Sequence, residues 1–114
     1  MKIAYIAHPI AGNIERNLNL LKDIIWDINC NEPNTIPFAP YVADVISMDD
    51  NNPKDRAKGM KNNMHLLTIC NEVRLYGNRI SDGMALEIDR AISLGIPIIP
   101  MTEFTKKEFE KRWF

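Results

Sequence analysis

Residues 73 to 99 constrain this chain more than any other stretch, because they read as a single strand–helix–strand unit. A short apolar run, Val73-Arg74-Leu75-Tyr76, ends at Gly77, and a second, Ile96-Pro97-Ile98-Ile99, follows Gly95. Between them lie a polar loop and a helix-length segment starting at Ser81. Two strands joined through a helix run parallel, with a right-handed crossover. The loop then falls at the carboxyl end of the first strand, where open parallel sheets bind ligands. Ser81 is a suitable helix cap, and Gly83 in the first turn leaves the backbone bare to a ligand. Glu87 lies four residues on from Gly83, on the same helical face. That is a workable place for chemistry on a small ligand.

The rest of the chain repeats the alternation. Lys2 to Ala7 is apolar almost throughout, as a central parallel strand should be. Residues 8–13 form a loop ending in Asn13, a good N-cap. From Ile14 to about Asn29 the residues Ile14, Leu18, Leu21, Ile25 and Ile28 make an amphipathic stripe. Thr35 to Pro40 reads as a strand whose prolines suit a sheet edge. Tyr41 to Met48 reads as a turn or two of helix, and Asp49 to Pro53 as a polar loop. A helix from Lys54 to Ile69 follows, with Ala57, Met60, Met64, Leu67 and also Leu66 facing inward. Thr105 to Phe114 reads as a short charged helix that Phe109 and Trp113 dock onto the sheet or another subunit. The expectation is a three-layer α/β sandwich with a parallel, Rossmann-like sheet of four, or five, strands in the order 2-1-3-4. Residues 1–114 would form one domain, with 105–114 as its helical tail.

Composition excludes several functions. A net charge of −1 gives no basic face for nucleic acid or an anionic membrane. No apolar run approaches the ~20 residues of a membrane span. The N-terminus enters a strand pattern directly, without a signal-peptide plan. Cys30 and Cys70 have no metal-ligand spacing and read as reduced, partly buried thiols of a cytoplasmic protein, with a disulfide the weaker reading. No GxGxxG follows the first strand and no Walker-type lysine is present, so dehydrogenase and NTPase readings fall away. No cofactor or metal is implied.

Two segments carry a resemblance. Tyr5-Ile6-Ala7-His8-Pro9 with Gly12, and Ser81-Asp82-Gly83-Met84-Ala85-Leu86-Glu87 with Ala91, Gly95 and Ile96-Pro97-Ile98, resemble the nucleoside deoxyribosyltransferase superfamily. With Arg56 and Tyr76-Gly77, the pattern is similar to a little-characterised phage- and bacteria-associated branch. The likeness spans roughly residues 2–101. It implies that Glu87 attacks the anomeric carbon of a nucleoside or nucleotide, expels the base and forms a glycosyl-enzyme intermediate. Water or a second base then resolves it. Tyr5 would hold the carboxylate through its hydroxyl, and Asp82 and His8 are the nearby groups able to assist the leaving base. A glutamate of ordinary pKa is ionised at neutral pH and needs no partner base. His8, Pro9, Gly12, Asn13, Arg56, Tyr76, Gly77, Ser81 and Gly83 are the implied substrate-binding positions. The partner is then a nucleoside, a nucleotide or a nucleotide-derived small molecule, with a homo-oligomer completing the site.

The sequence departs from that superfamily in two places. His8 stands where a small residue is common, and Asn78 and Arg79 occupy a loop in which Asp82 is the single acid. A non-catalytic protein that sequesters a nucleotide-derived ligand is therefore the competing function. Each residue also has an ordinary reading. Glu87 can pair with Arg90 on a solvated face, Tyr5 can be core, and His8 can hydrogen-bond its own loop. Gly12-Asn13 can be only a turn and a cap, or a helix N-terminus that receives a phosphate. Arg56 and Arg79 can bind phosphate or pair with Asp49, Asp50 or Asp55. His65 is structural or exposed.

Overall fold

Strand β1 (Lys2–Ala7) runs through the middle of a parallel sheet, with β2 (Thr35–Phe38) on one side and β3 (Glu72–Leu75) on the other. Strand β4 (Ile98–Pro100) follows β3 in parallel, so the described residues form four strands in the order β2-β1-β3-β4. The structure is a computed structural model that describes residues 1–49 and 51–114. Asp50, read from the sequence as polar loop and as a partner for Arg56, lies outside the described residues. Helices α1 (Ile14–Asn31), α2 (Tyr41–Ser47), α3 (Pro53–Leu66), α4 (Asp82–Leu94) and α5 (Glu103–Trp113) pack around the sheet. The α/β architecture and strand order are those expected from the sequence.

Local chemistry sets the helix ends. Asn13 accepts a hydrogen bond from the Arg16 amide, Asn52 from the Lys54 and Asp55 amides, and Ser81 from the Met84 amide. Each replaces a partner that the first turn lacks. Pro53 opens α3, where its missing N–H costs nothing. Gly95 closes α4 at φ +71°, and the Ile96 amide then donates back to the Ala91 carbonyl. That contact uses Ile96 to finish the helix, so β4 starts at Ile98 rather than at Ile96. Likewise β3 begins at Glu72 and ends at Leu75, and β2 stops at Phe38 instead of running to Pro40.

The stripe on α1 buries Leu21 and Ile28 fully, leaves Leu18 and Ile25 half-buried, and exposes Ile14 at the helix entry. Helix α3 is rotated from its expected face. Gly59 and Asn63 are its buried residues, Ala57 is exposed, and Met60 and Met64 are half-buried. The helical pattern also yields to a 3₁₀ turn, Leu67–Ile69, in which Leu67 is buried. Tail helix α5 starts at Glu103, two residues earlier than expected. Thr102 and Thr105 form a reciprocal capping box, a signal carried by two threonines instead of the usual acidic partner. Phe109 is buried and stacks on Trp113, whose indole N–H donates to Asp89 of α4 at 2.9 Å. Cys70 is buried and Cys30 exposed, both free, which corrects the expectation of two partly buried thiols. His65 is exposed.

The two faces of the sheet carry different chemistry. Glu72 and Arg74 alternate with Val73, so they point away from Tyr5 and toward α1. Arg74 is 5% exposed and donates from Nε to Glu72 at 2.6 Å. Its two terminal nitrogens grip both oxygens of Glu32, just past α1, at 2.9 and 2.7 Å. Lys2 adds a contact to Glu72 at 3.0 Å. This ionic cluster bolts the end of α1 to two strands.

At the opposite, carboxyl edge the loops after β1 and β3 close onto each other. Gly77 has φ +91°, and a Cβ there would lie 2.7 Å from Pro9 Cδ. Only glycine relieves both the backbone strain and the clash. Gly77→Ala is therefore expected to cost about 2 kcal/mol, read from urea unfolding. An unchanged midpoint would show that the loops do not meet as described.

Candidate active site

The cleft between these loops opens into a cavity of about 300 Å³, within the size range of small-molecule sites. Its walls come from the loops after β1 and β3, from the N-terminal half of α4, and from α2 and α3. Helix α4 delivers Ser81, Asp82, Gly83 and Glu87 to it, and the loop after β1 delivers His8. A Cβ built on Gly83 meets nothing within 4 Å, so this wall is open at the backbone.

Glu87 does not lie on a solvated helix face. It is 6% exposed, and the Tyr5 hydroxyl donates to its Oε2. Arg90, the surface partner weighed for it, reaches instead toward the Met64 carbonyl at 3.4 Å. Tyr5 itself is fully buried on the central strand, edge-on to Phe38 and tilted against Tyr41. The cavity therefore sees the carboxyl group with the phenol behind it.

This burial corrects one expectation. Removal from water pushes the Glu87 carboxyl up to about 8, while the Tyr5 hydrogen bond pulls in the other direction. A neutral acid is favoured because the charged form loses its hydration. The group is thus mostly protonated at pH 7 in the free protein, not ionised as a reference glutamate would be. Burial likewise raises the Tyr5 phenol well above its ordinary value, reinforced by the neighbouring Glu87 charge, so Tyr5 remains a donor.

His8 is also 6% exposed, and its Nδ1–H donates to the Pro9 carbonyl at 2.7 Å. Burial lowers its pKa, against the opposing pull of that bond. The ring is neutral at pH 7, and Nε2 offers a lone pair rather than a proton. Of the two groups put forward to assist a leaving base, Asp82 is the exposed one, in the first turn of α4.

Arg56 from α3 and Arg79 from the loop after β3 both line the cavity. Arg79 donates to the Ala11 carbonyl, tying the two loops together beside Gly12, which has φ +98°. Four carboxylates, Asp44, Asp49, Asp55 and Asp82, share these walls with the two guanidiniums. Five of the residues proposed from the sequence for substrate binding lie off the cavity lining. Pro9 and Gly77 shape the loop contact, Gly12 makes the turn, and Asn13 caps α1. Tyr76 is on the other side of the sheet, beside Arg74 and near Glu32 and Asp27. Strand alternation turns it away, because it follows Arg74 by two residues.

Beyond Arg56, the contribution of α2 and α3 was not anticipated. Tyr41 donates its hydroxyl to the Ile6 carbonyl and faces the cavity, as do Asp44, Met48, Gly59, Met60 and Asn63. A readable signal was present in Gly59 and Asn63, four residues apart on a helix whose other inward residues are apolar. Among the described residues no group of three histidines, cysteines or acids could hold a metal ion. None of the described helices is long and apolar enough to cross a membrane.

Fold and cleft together define an α/β protein with a carboxyl–phenol pair at the ligand edge of a parallel sheet. Residues 2–101 match the family described as "Domain of unknown function (DUF7768)". The chain belongs to that family. No curated protein matches it. Among solved structures it is similar to a 2-deoxyribosyltransferase from the psychrotolerant bacterium Bacillus psychrosaccharolyticus, with a TM-score of 0.65 and 17% identity. That match covers 86% of this chain and 70% of the other, and at this identity it establishes a shared fold.

Proposed function

We propose that the protein cleaves the N-glycosidic bond of a nucleoside or nucleotide, with Glu87 as the nucleophile. Glu87 first gives up its proton to water. One oxygen of the resulting carboxylate attacks the anomeric carbon while the bond from that carbon to the base nitrogen breaks. Its electron pair leaves with the base, which takes up a proton from water or from Asp82. Tyr5 anchors the other oxygen and fixes the line of attack. The positive charge developing on the sugar is stabilised by the same carboxylate. Water or a second base then displaces Glu87 from the sugar. The observation that carries this reading is a buried carboxyl group, hydrogen-bonded by a phenol, in the wall of a cavity at the carboxyl edge of the sheet. The fold shared with a deoxyribosyltransferase supports it.

The test is to incubate the protein with a panel of nucleosides and 5′-nucleotides and measure free base by chromatography. Glu87→Gln is expected to lower release at least about 1,000-fold while ligand-induced thermal stabilisation persists. Absence of base from every compound would reject the enzyme.

A second reading has its own observation. A carboxyl group held near 8 is mostly neutral at pH 7, and a neutral acid can donate a hydrogen bond to a bound ligand without attacking it. Stabilisation by a nucleotide-derived ligand without base release would favour sequestration.

A further inference from the structure

One polar group in the cavity wall is left over by this mechanism. Asn63 sits on α3, 6% exposed, among the residues that line the cavity with Glu87. Its side-chain oxygen is shielded from solvent and has no hydrogen-bond partner among the described residues. It is the sole buried side-chain polar atom among them in that condition. Such groups are rare in folded proteins, because an unpaired buried oxygen gives up its hydration for nothing. The neighbouring positions on the same face are Gly59, Met60 and Leu67, so an apolar residue would suit the site better.

We infer that Asn63 reads the ligand: its side-chain carbonyl accepts a hydrogen bond from an N–H or O–H group of the molecule bound in the cavity. A partial turn of the amide about the Cβ–Cγ bond brings the oxygen round to such a donor. Gly59, one turn earlier, keeps the adjacent wall low. A Cβ there would already lie 3.2 Å from Asp44 Oδ2, so the wall cannot be thickened without cost. The ligand is thereby specified as one that presents a donor toward α3, a nucleobase amino group or a sugar hydroxyl. Analogues lacking that donor leave the oxygen unpaired and are discriminated against. This rests on the nucleoside reading above and adds to it the residue that selects among nucleosides.

The experiment is a cycle of protein and ligand changes in the Glu87→Gln background, where turnover is stopped. Binding of 2′-deoxyadenosine is compared with that of the analogues lacking the 6-amino group or the 3′-hydroxyl, before and after Asn63→Leu. With Asn63 present, loss of the recognised donor is expected to weaken binding about tenfold. With Asn63→Leu in place, the same loss changes binding less than about threefold. The ligand-free Asn63→Leu protein is also expected to melt about 4 °C higher, because the unpaired oxygen is gone. If leucine prevents folding, Asn63→Ala gives the same binding cycle. Equal sensitivity to both analogues with and without Asn63 would overturn the inference and leave the glycosidase reading intact. A lower melting temperature for Asn63→Leu would also overturn it, since the amide then has a structural partner. If no nucleoside binds the protein carrying Asn63, the nucleoside reading fails. The inference, which rests on that reading, then fails with it.

Discussion

Glu87→Gln is expected to stabilise the protein strongly at pH 9 and hardly at all at pH 4. The folded protein holds the Glu87 carboxyl near 8, against an ordinary value of 4.5. Between those two values the folded state binds more protons than the unfolded state, so stability falls as pH rises through the window. Below about 4.5 both states are protonated and the burial has no ionic cost. Above about 8 the folded state carries a desolvated charge, and the full penalty is felt. Glutamine keeps the shape and can still accept from Tyr5, but it does not titrate. The difference in stability between the two proteins should therefore grow from near zero to roughly 3–6 kcal/mol across this range. Thermal melts at pH 4, 7 and 9 measure it directly. A difference that is flat with pH would mean that the carboxyl group is bathed in water, and the candidate site would lose its centre.

The second large effect is on the opposite face of the sheet. Arg74→Met is expected to cost roughly 3–5 kcal/mol in urea unfolding, because it strands Glu72 in the interior with Lys2 as its remaining ionic partner. Pairing it with Glu72→Gln should recover much of that loss, as the uncompensated charge is then gone. The cluster also gives the fold an acid limb. Burial pushes the Glu72 carboxyl up, but Arg74 and Lys2 outweigh it, and the net pKa is lowered. The bond to Arg74 lowers that of Glu32. For a lowered carboxyl pKa the stabilising contribution is complete above the ordinary value of 4.5 and is lost as pH falls below it. Wild type should therefore lose stability below pH 4.5 more steeply than the double variant. Parallel curves would show that the cluster does not hold the fold together.

The sequence made the sheet order legible because strand, helix and loop signals alternate without interruption from Lys2 to Ile99. Its helix caps were equally plain at Asn13 and Ser81, where one side chain decides the matter. The face of α3 was not plain. Met60 and Met64 drew attention as apolar residues, whereas Gly59 and Asn63 are buried because they border a cavity. Hydrophobic periodicity reports a packed core and is silent about a lined hollow. The same blindness applies to charge. Glu87, Glu72 and Glu32 are indistinguishable as letters. Burial beside a phenol moves one pKa upward, and contact with a guanidinium moves the other two downward. Arg74 passed as part of an apolar run, since its partners lie at 2 and 42 residues' distance along the chain.

The hydroxyl of Thr102, which caps α5, also donates to the Gly77 carbonyl at 2.9 Å. Gly77 is the hinge at which the loop after β3 rests on Pro9. The match to the family ends at residue 101, one position before that threonine. The posture of the ligand edge thus depends on an anchor just beyond the stretch that carries the kinship. Trimming the polypeptide to its recognisable portion would slacken the cleft while sparing every residue in it.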